Sequence, residues 1–85
     1  MVFGFRSNPV PKLRKQYDRI REKADKIKDR NGRLQILRYL DQLEPTLIAL
    51  EEQEQPRFER RRMVNYVRNG LEEVKDMLDL RNKGK

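Results

Sequence analysis

Residues 58–70 read FERRRMVNYVRNG and bring four arginines and two aromatic side chains into thirteen positions. Guanidinium groups hold phosphate through forked pairs of N–H donors, and aromatic faces stack on bases or anchor a partner helix. The stretch is therefore a candidate anion-binding surface. Arg60, Arg61, Arg62 and Arg68 would reach phosphates, and Phe58 and Tyr66 would stack or anchor. A second candidate lies nearer the amino terminus, where Lys12, Lys15, Arg19, Lys23, Lys26 and Arg30 recur at steps of three and four. On one helix these six cations fall within a sector of about 80°. Such a row suits a polyanion, because like charges at this spacing repel unless something compensates them.

Other chemistries are mostly closed to this chain. It has no cysteine and no histidine. Disulfides, thiolate nucleophiles and the usual zinc, haem and redox sites therefore cannot be built, and the commonest general base is missing. One serine, Ser7, and one threonine, Thr46, stand outside any recognisable nucleophile motif. A pair of carboxylates is the remaining catalytic device, and the fourteen acids sit mostly at the spacing of a solvated helix face. The expectation is a non-enzyme with no cofactor, no metal and no small-molecule substrate.

The elements that must position the two candidate surfaces are read between Pro9, Pro11, Asn31-Gly32, Pro45, Pro56 and Gly70. Leu13, Tyr17, Ile20, Ala24 and Ile27 make one helical stripe, which predicts a helix over 11–30. SNPVP offers capping side chains and prolines at its start. DRNG is read as its end, with Asn31 or Gly32 in a left-handed conformation. Ile36, Leu40, Leu43, Leu47 and Leu50 make a second stripe, predicting a helix over 32–54 that keeps phase across Pro45 and is kinked there. Leu34, Leu37 and Ile48 add an apolar face, so this helix is expected to use two faces to touch two neighbours. Val64, Val67, Leu71, Val74 and Leu78 predict a third helix over 56–81, continuous through Gly70 despite a glycine penalty of about 1 kcal/mol. Asn69 with Glu72 resembles a capping arrangement, but the unbroken phase favours continuity.

Three helices of similar length with short connections predict an all-α fold, an antiparallel three-helix bundle. The alternative is an extended helical hairpin that forms a dimeric bundle. Residues 1–10 are read as an apolar, proline-rich tail, 11–81 as the single helical domain and 82–85 as a basic tail.

Charge is unevenly spread over these elements. Residues 1–38 sum to +8, residues 39–56 to −5 and residues 57–85 to +4, for a total of +7. An antiparallel second helix would bring Glu51, Glu52 and Glu54 towards the start of the first, but these acids are too few to neutralise the whole cation row. No apolar run approaches the roughly 18 residues that span a bilayer, and no secretory signal is recognised, so a cytoplasmic location is expected. The opening MVFGFR, with Phe3 and Phe5 ahead of a basic helix, could insert shallowly into an anionic membrane. In that respect residues 1–30 resemble the amphipathic entry of ESCRT-III-type membrane-remodelling proteins, without a motif specific to them.

The functional expectation is a small basic binding module that contacts nucleic acid or a nucleoprotein assembly. The alternative is a protein-interaction or scaffold module, including homo-oligomers, that pairs through its apolar seams; binding to an anionic membrane surface comes third. No helix-turn-helix, RNP or zinc-finger signature is present.

Overall fold

The computed structural model describes residues 8–83, which form three α-helices: α1 (Val10–Asp25), α2 (Arg30–Glu52) and α3 (Arg57–Lys83). Each helix packs on both others, giving an elongated bundle of 47 × 21 × 17 Å. The chain closes its own core, as an antiparallel three-helix bundle does and a hairpin awaiting a second copy does not. The MVFGF segment and the last two residues of the basic tail lie outside the described residues.

Helix direction follows from the cross-contacts. Arg14 meets Glu51 and Arg21 meets Asp41, so α1 and α2 run antiparallel. Tyr39 donates a hydrogen bond to Glu73, and Leu43 packs against Gly70, so α2 and α3 are antiparallel too. Consequently α1 and α3 run parallel, side by side.

The three seams form one core. Leu13, Tyr17, Ile20 and Ala24 of α1, Ile36, Leu40, Leu43, Leu47 and Leu50 of α2, and Val64, Val67, Leu71, Val74 and Leu78 of α3 are all buried, together with Val10. Burying a side chain of this size contributes about 1.5–3 kcal/mol, so the periodic stripes supply the main driving force. Val10 belongs to this core and opens α1, so the expected tail is shorter than ten residues. Asn8 completes the start: its Oδ1 accepts from the Val10 amide at 3.2 Å.

The end of α1 differs from the reading of the sequence. The helix stops at Asp25, not at residue 30, because Asp29 is the N-cap of α2 and accepts from the Gly32 amide at 3.2 Å. An N-cap residue is extended, here φ −69° and ψ 113°, so the preceding helix must finish before it. The Lys26 and Ile27 amides bond to Lys23 and Ala24 carbonyls three residues back, tightening the last turn of α1. Asn31 and Gly32 therefore lie in the first turn of α2, and no described residue has positive φ. Ile27 sits in the connection and only partly covers the core.

Helix α2 ends at Glu52, two residues short of the expected 54, where Gln55 donates its side-chain amide to the Ala49 carbonyl at 2.8 Å. It runs unbroken through Pro45. The proposed second apolar face is not used as expected: Leu34 and Ile48 are 42% and 38% exposed, and Leu37 only borders the core. One stripe is wide enough to meet both neighbours. Helix α3 starts after Pro56 and extends to Lys83, beyond the expected 81, passing through a buried Gly70. A Cβ at Gly70 would stand 2.5 Å from Leu43 Cδ2, so the missing side chain is what lets α2 and α3 come this close.

Candidate anion-binding groove

Parallel packing of α1 and α3 sets two basic rows along one flank of the bundle. Lys12, Lys15, Arg19 and Lys23 of α1, together with Lys75 of α3, line a groove of about 450 Å³ whose one acid is Asp79. Nearer the start of both helices, Arg57, Arg60, Arg61 and Arg68 line a second hollow of about 730 Å³ with Pro9, Gln55, Val64 and Asn65. With 3.6 residues per turn, Arg57, Arg61, Arg68 and Lys75 lie within about 40° of one another on α3, facing α1. All four, and the four α1 cations, are exposed. None of these eight forms an ion pair among the described residues.

The other edge of α1 is electrostatically satisfied. Arg14 donates through Nε and Nη2 to both carboxylate oxygens of Glu51, at 2.9 and 2.8 Å, and lies 3.7 Å from Asp18 and 3.9 Å from Glu44. It also sits 5.3 Å from the centre of the Tyr17 ring. The hydrogen bond from Arg14 lowers the Glu51 pKa, and the same bond, ahead of the desolvation that opposes it, raises that of Arg14. Arg21 donates to Asp41 at 3.1 Å and to the Tyr17 hydroxyl at 3.0 Å, and its pKa rises chiefly through the bond to Asp41. Burial is the main reason the Tyr17 hydroxyl titrates higher than usual. Of the five acids in residues 39–56, Asp41, Glu44 and Glu51 thus engage arginines that the six-residue row does not include.

The row itself is shorter than the sequence suggests. Lys12, Lys15, Arg19 and Lys23 share α1, but Lys26 caps its end and Arg30 is the first residue of α2. Neither lines the groove. The arginines of residues 58–70 likewise separate. Arg60 turns inward, donating to the Leu50 carbonyl at 3.5 Å, Gln55 Oε1 at 3.2 Å and Asn8 Oδ1 at 3.2 Å, so it ties the beginnings of α1 and α3 to the end of α2. Arg61 and Arg68 line the second hollow.

Phe58, Arg62 and Tyr66 lie progressively further round α3, about 60–100°, 100–140° and 140–180° from the row of Arg57, Arg61, Arg68 and Lys75, towards the flank where Tyr39 of α2 bonds to Glu73. Phe58 is 74% exposed, with the Arg62 guanidinium 5.9 Å from its ring centre, and Tyr66 is 50% exposed. Phe58 therefore does not fold back on the helix start. Tyr66 and the row of Arg57, Arg61, Arg68 and Lys75 occupy opposite sides of α3, with Phe58 between them.

Arg57 and Lys75 were absent from the sequence-based set, although both share the helical phase of Arg61 and Arg68. That phase is visible in the sequence; its meaning depends on knowing that α1 lies on the same side. Among the described residues no group of three or more acids is placed to hold a metal ion, and no helix is long and apolar enough to cross a membrane. No protein-family model, curated protein or solved structure matches the chain.

Proposed function

We propose that this protein is a cytoplasmic, non-enzymatic binding module that holds nucleic acid, alone or within a nucleoprotein assembly, in the groove between α1 and α3. The observation that carries this reading is a pair of exposed basic rows, Lys12, Lys15, Arg19 and Lys23 with Lys75 along the groove and Arg57, Arg61 and Arg68 along the second hollow, none of them in an ion pair among the described residues. Cations held in such proximity repel one another, and phosphates entering between them remove that cost while releasing counterions. Docking of a protein on the apolar seams has less support, because every seam residue except Ile27 is buried within the chain.

Fluorescence anisotropy of labelled RNA and DNA, titrated with the protein at about 50 and 200 mM salt, tests the reading. Contact with about six of the eight cations predicts a loss of roughly a thousandfold in affinity between the two conditions. Absence of binding at the lower salt would end the nucleic-acid assignment.

A further inference from the structure

Which form of nucleic acid fits the groove follows from what its walls lack. Among the described residues no aromatic side chain lines the hollows along the α1–α3 flank. Their uncharged lining consists of short amides such as Gln16 and Asn65 and the edges of Ile20, Val64 and Leu78. Resting on the nucleic-acid reading above, we propose that the groove takes a duplex in preference to a single strand and recognises it by its backbone, without regard to base sequence.

Single-strand binders combine a basic channel with aromatic platforms, and each stacked base contributes about 1–3 kcal/mol. Here Tyr66 stands about 140–180° and Phe58 about 60–100° from the α3 cations, on a helix about 10–12 Å across, and neither lines a hollow, so a strand lying between α1 and α3 does not stack on them. A flexible strand in this groove would be ordered against its entropy with charge alone to compensate. A duplex has already stacked its bases and fixed its backbone, and it presents one charge per roughly 1.7 Å of axis. The groove is also concave. It accepts the ridge of a phosphate strand, whereas base reading in the major groove requires a helix or ribbon that protrudes into it.

Dimensions agree with a short straight footprint. From Lys12 to Lys23 the α1 row spans about 16 Å, and from Arg57 to Lys75 the α3 row spans about 27 Å, at 1.5 Å per residue. With an axial rise of about 3.4 Å per step, the longer row follows about eight base pairs.

The test compares a labelled duplex of about sixteen base pairs with each of its separated strands, in DNA and RNA versions, at about 50 mM salt. Two unrelated sequences and the double variant Phe58→Ala/Tyr66→Ala are included. The expected result is a duplex affinity at least about tenfold above either strand, constant within about twofold between sequences and unaffected by the double variant. A single strand that binds as tightly as the duplex, and loses that affinity in the double variant, would overturn the duplex assignment while leaving the nucleic-acid reading intact. A strong dependence on sequence would overturn recognition by backbone alone. Failure of every nucleic acid, with binding to phosphatidylserine vesicles instead, would overturn both readings.

Discussion

The two long edges of α1 carry the same kinds of residue and meet opposite surroundings. Towards α2, Arg14 and Arg21 find Glu51, Glu44, Asp18 and Asp41 within ion-pair distance. Towards α3, Lys12, Lys15, Arg19 and Lys23 share a groove with Lys75 and Asp79 and form no ion pair among the described residues. A net charge of +7 is therefore the residue of two different arrangements, one that holds the fold together and one that leaves it under mild electrostatic strain. What distinguishes a paired cation from an unpaired one on α1 is the neighbouring helix, not the residue type.

The largest effect expected from this contrast is on ligand affinity. Neutralising two residues of each groove wall, as Lys15→Ala/Arg19→Ala/Arg61→Ala/Arg68→Ala, should lower duplex affinity at about 50 mM salt by at least about a hundredfold. The slope of log affinity against log salt should shrink by about 3 to 4. A loss under about fivefold in anisotropy titrations would remove the groove from the mechanism.

A packing change that alters no charge should instead act on stability alone. Gly70→Ala introduces a methyl group into Leu43, a steric cost of about 1–3 kcal/mol offset by about 1 kcal/mol of helix propensity. A net loss of about 1 kcal/mol in urea unfolding is expected, with duplex affinity unchanged while the protein remains folded. In a Leu43→Ala background the same methyl fills vacated space, and its effect should reverse sign. Stabilisation by Gly70→Ala in the otherwise native chain would show that α2 and α3 can separate there without cost.

On the α2 edge, Arg14→Ala should cost about 0.5–1 kcal/mol, since its partners are partly solvated, and should leave duplex binding unchanged. Glu51 gives this contribution a pH signature. Its carboxylate pKa is lowered in the folded state, so the contribution is fully present above the ordinary value of 4.5 and is lost as pH falls through the lowered one. Urea midpoints between pH 6 and about 3 should fall less steeply in Arg14→Ala than in the native chain. Identical pH profiles would assign the acid sensitivity to other carboxylates.

The smallest effect has the opposite sign. The fourfold groove variant should be more stable than the native chain by a few tenths of a kcal/mol at low salt, through relief of like-charge repulsion. That gain should vanish near 1 M salt, where screening acts within about 3 Å. Loss of stability at low salt would mean that these cations are engaged within the fold after all.

The seams of all three helices were legible from periodicity, as was continuity through Pro45 and Gly70, because a buried stripe that keeps phase outweighs a single unfavourable residue. The reason for Gly70 was not, since it depends on Leu43 arriving from another helix. The end of α1 was misread because Asp29 was assigned to the preceding helix and not tested as the cap of the next one. Position on a helical wheel separates Arg14 and Arg21 from the cation row, but it cannot say that α2 flanks one edge and α3 the other. For the same reason Arg60 looked like its neighbours Arg61 and Arg62 until the chain reversals brought Asn8, Leu50 and Gln55 around it.

Parallel packing of α1 and α3 has a consequence for the field around the molecule. The amino-terminal ends of both helices meet at one end of the bundle, each carrying the equivalent of about half a positive charge from its aligned peptide dipoles, beside the carboxyl-terminal end of α2 with the opposite sign. Side chains reinforce this backbone polarity: the first turn of α1 contains Lys12 and no acid, whereas the last turn of α2 contains Glu51 and Glu52 and no base. This end of the bundle is therefore positive at α1 and α3 and negative at α2. On the proposed function, a polyanion would be drawn first to this end of the α1–α3 flank, and the rate of encounter would itself depend on salt.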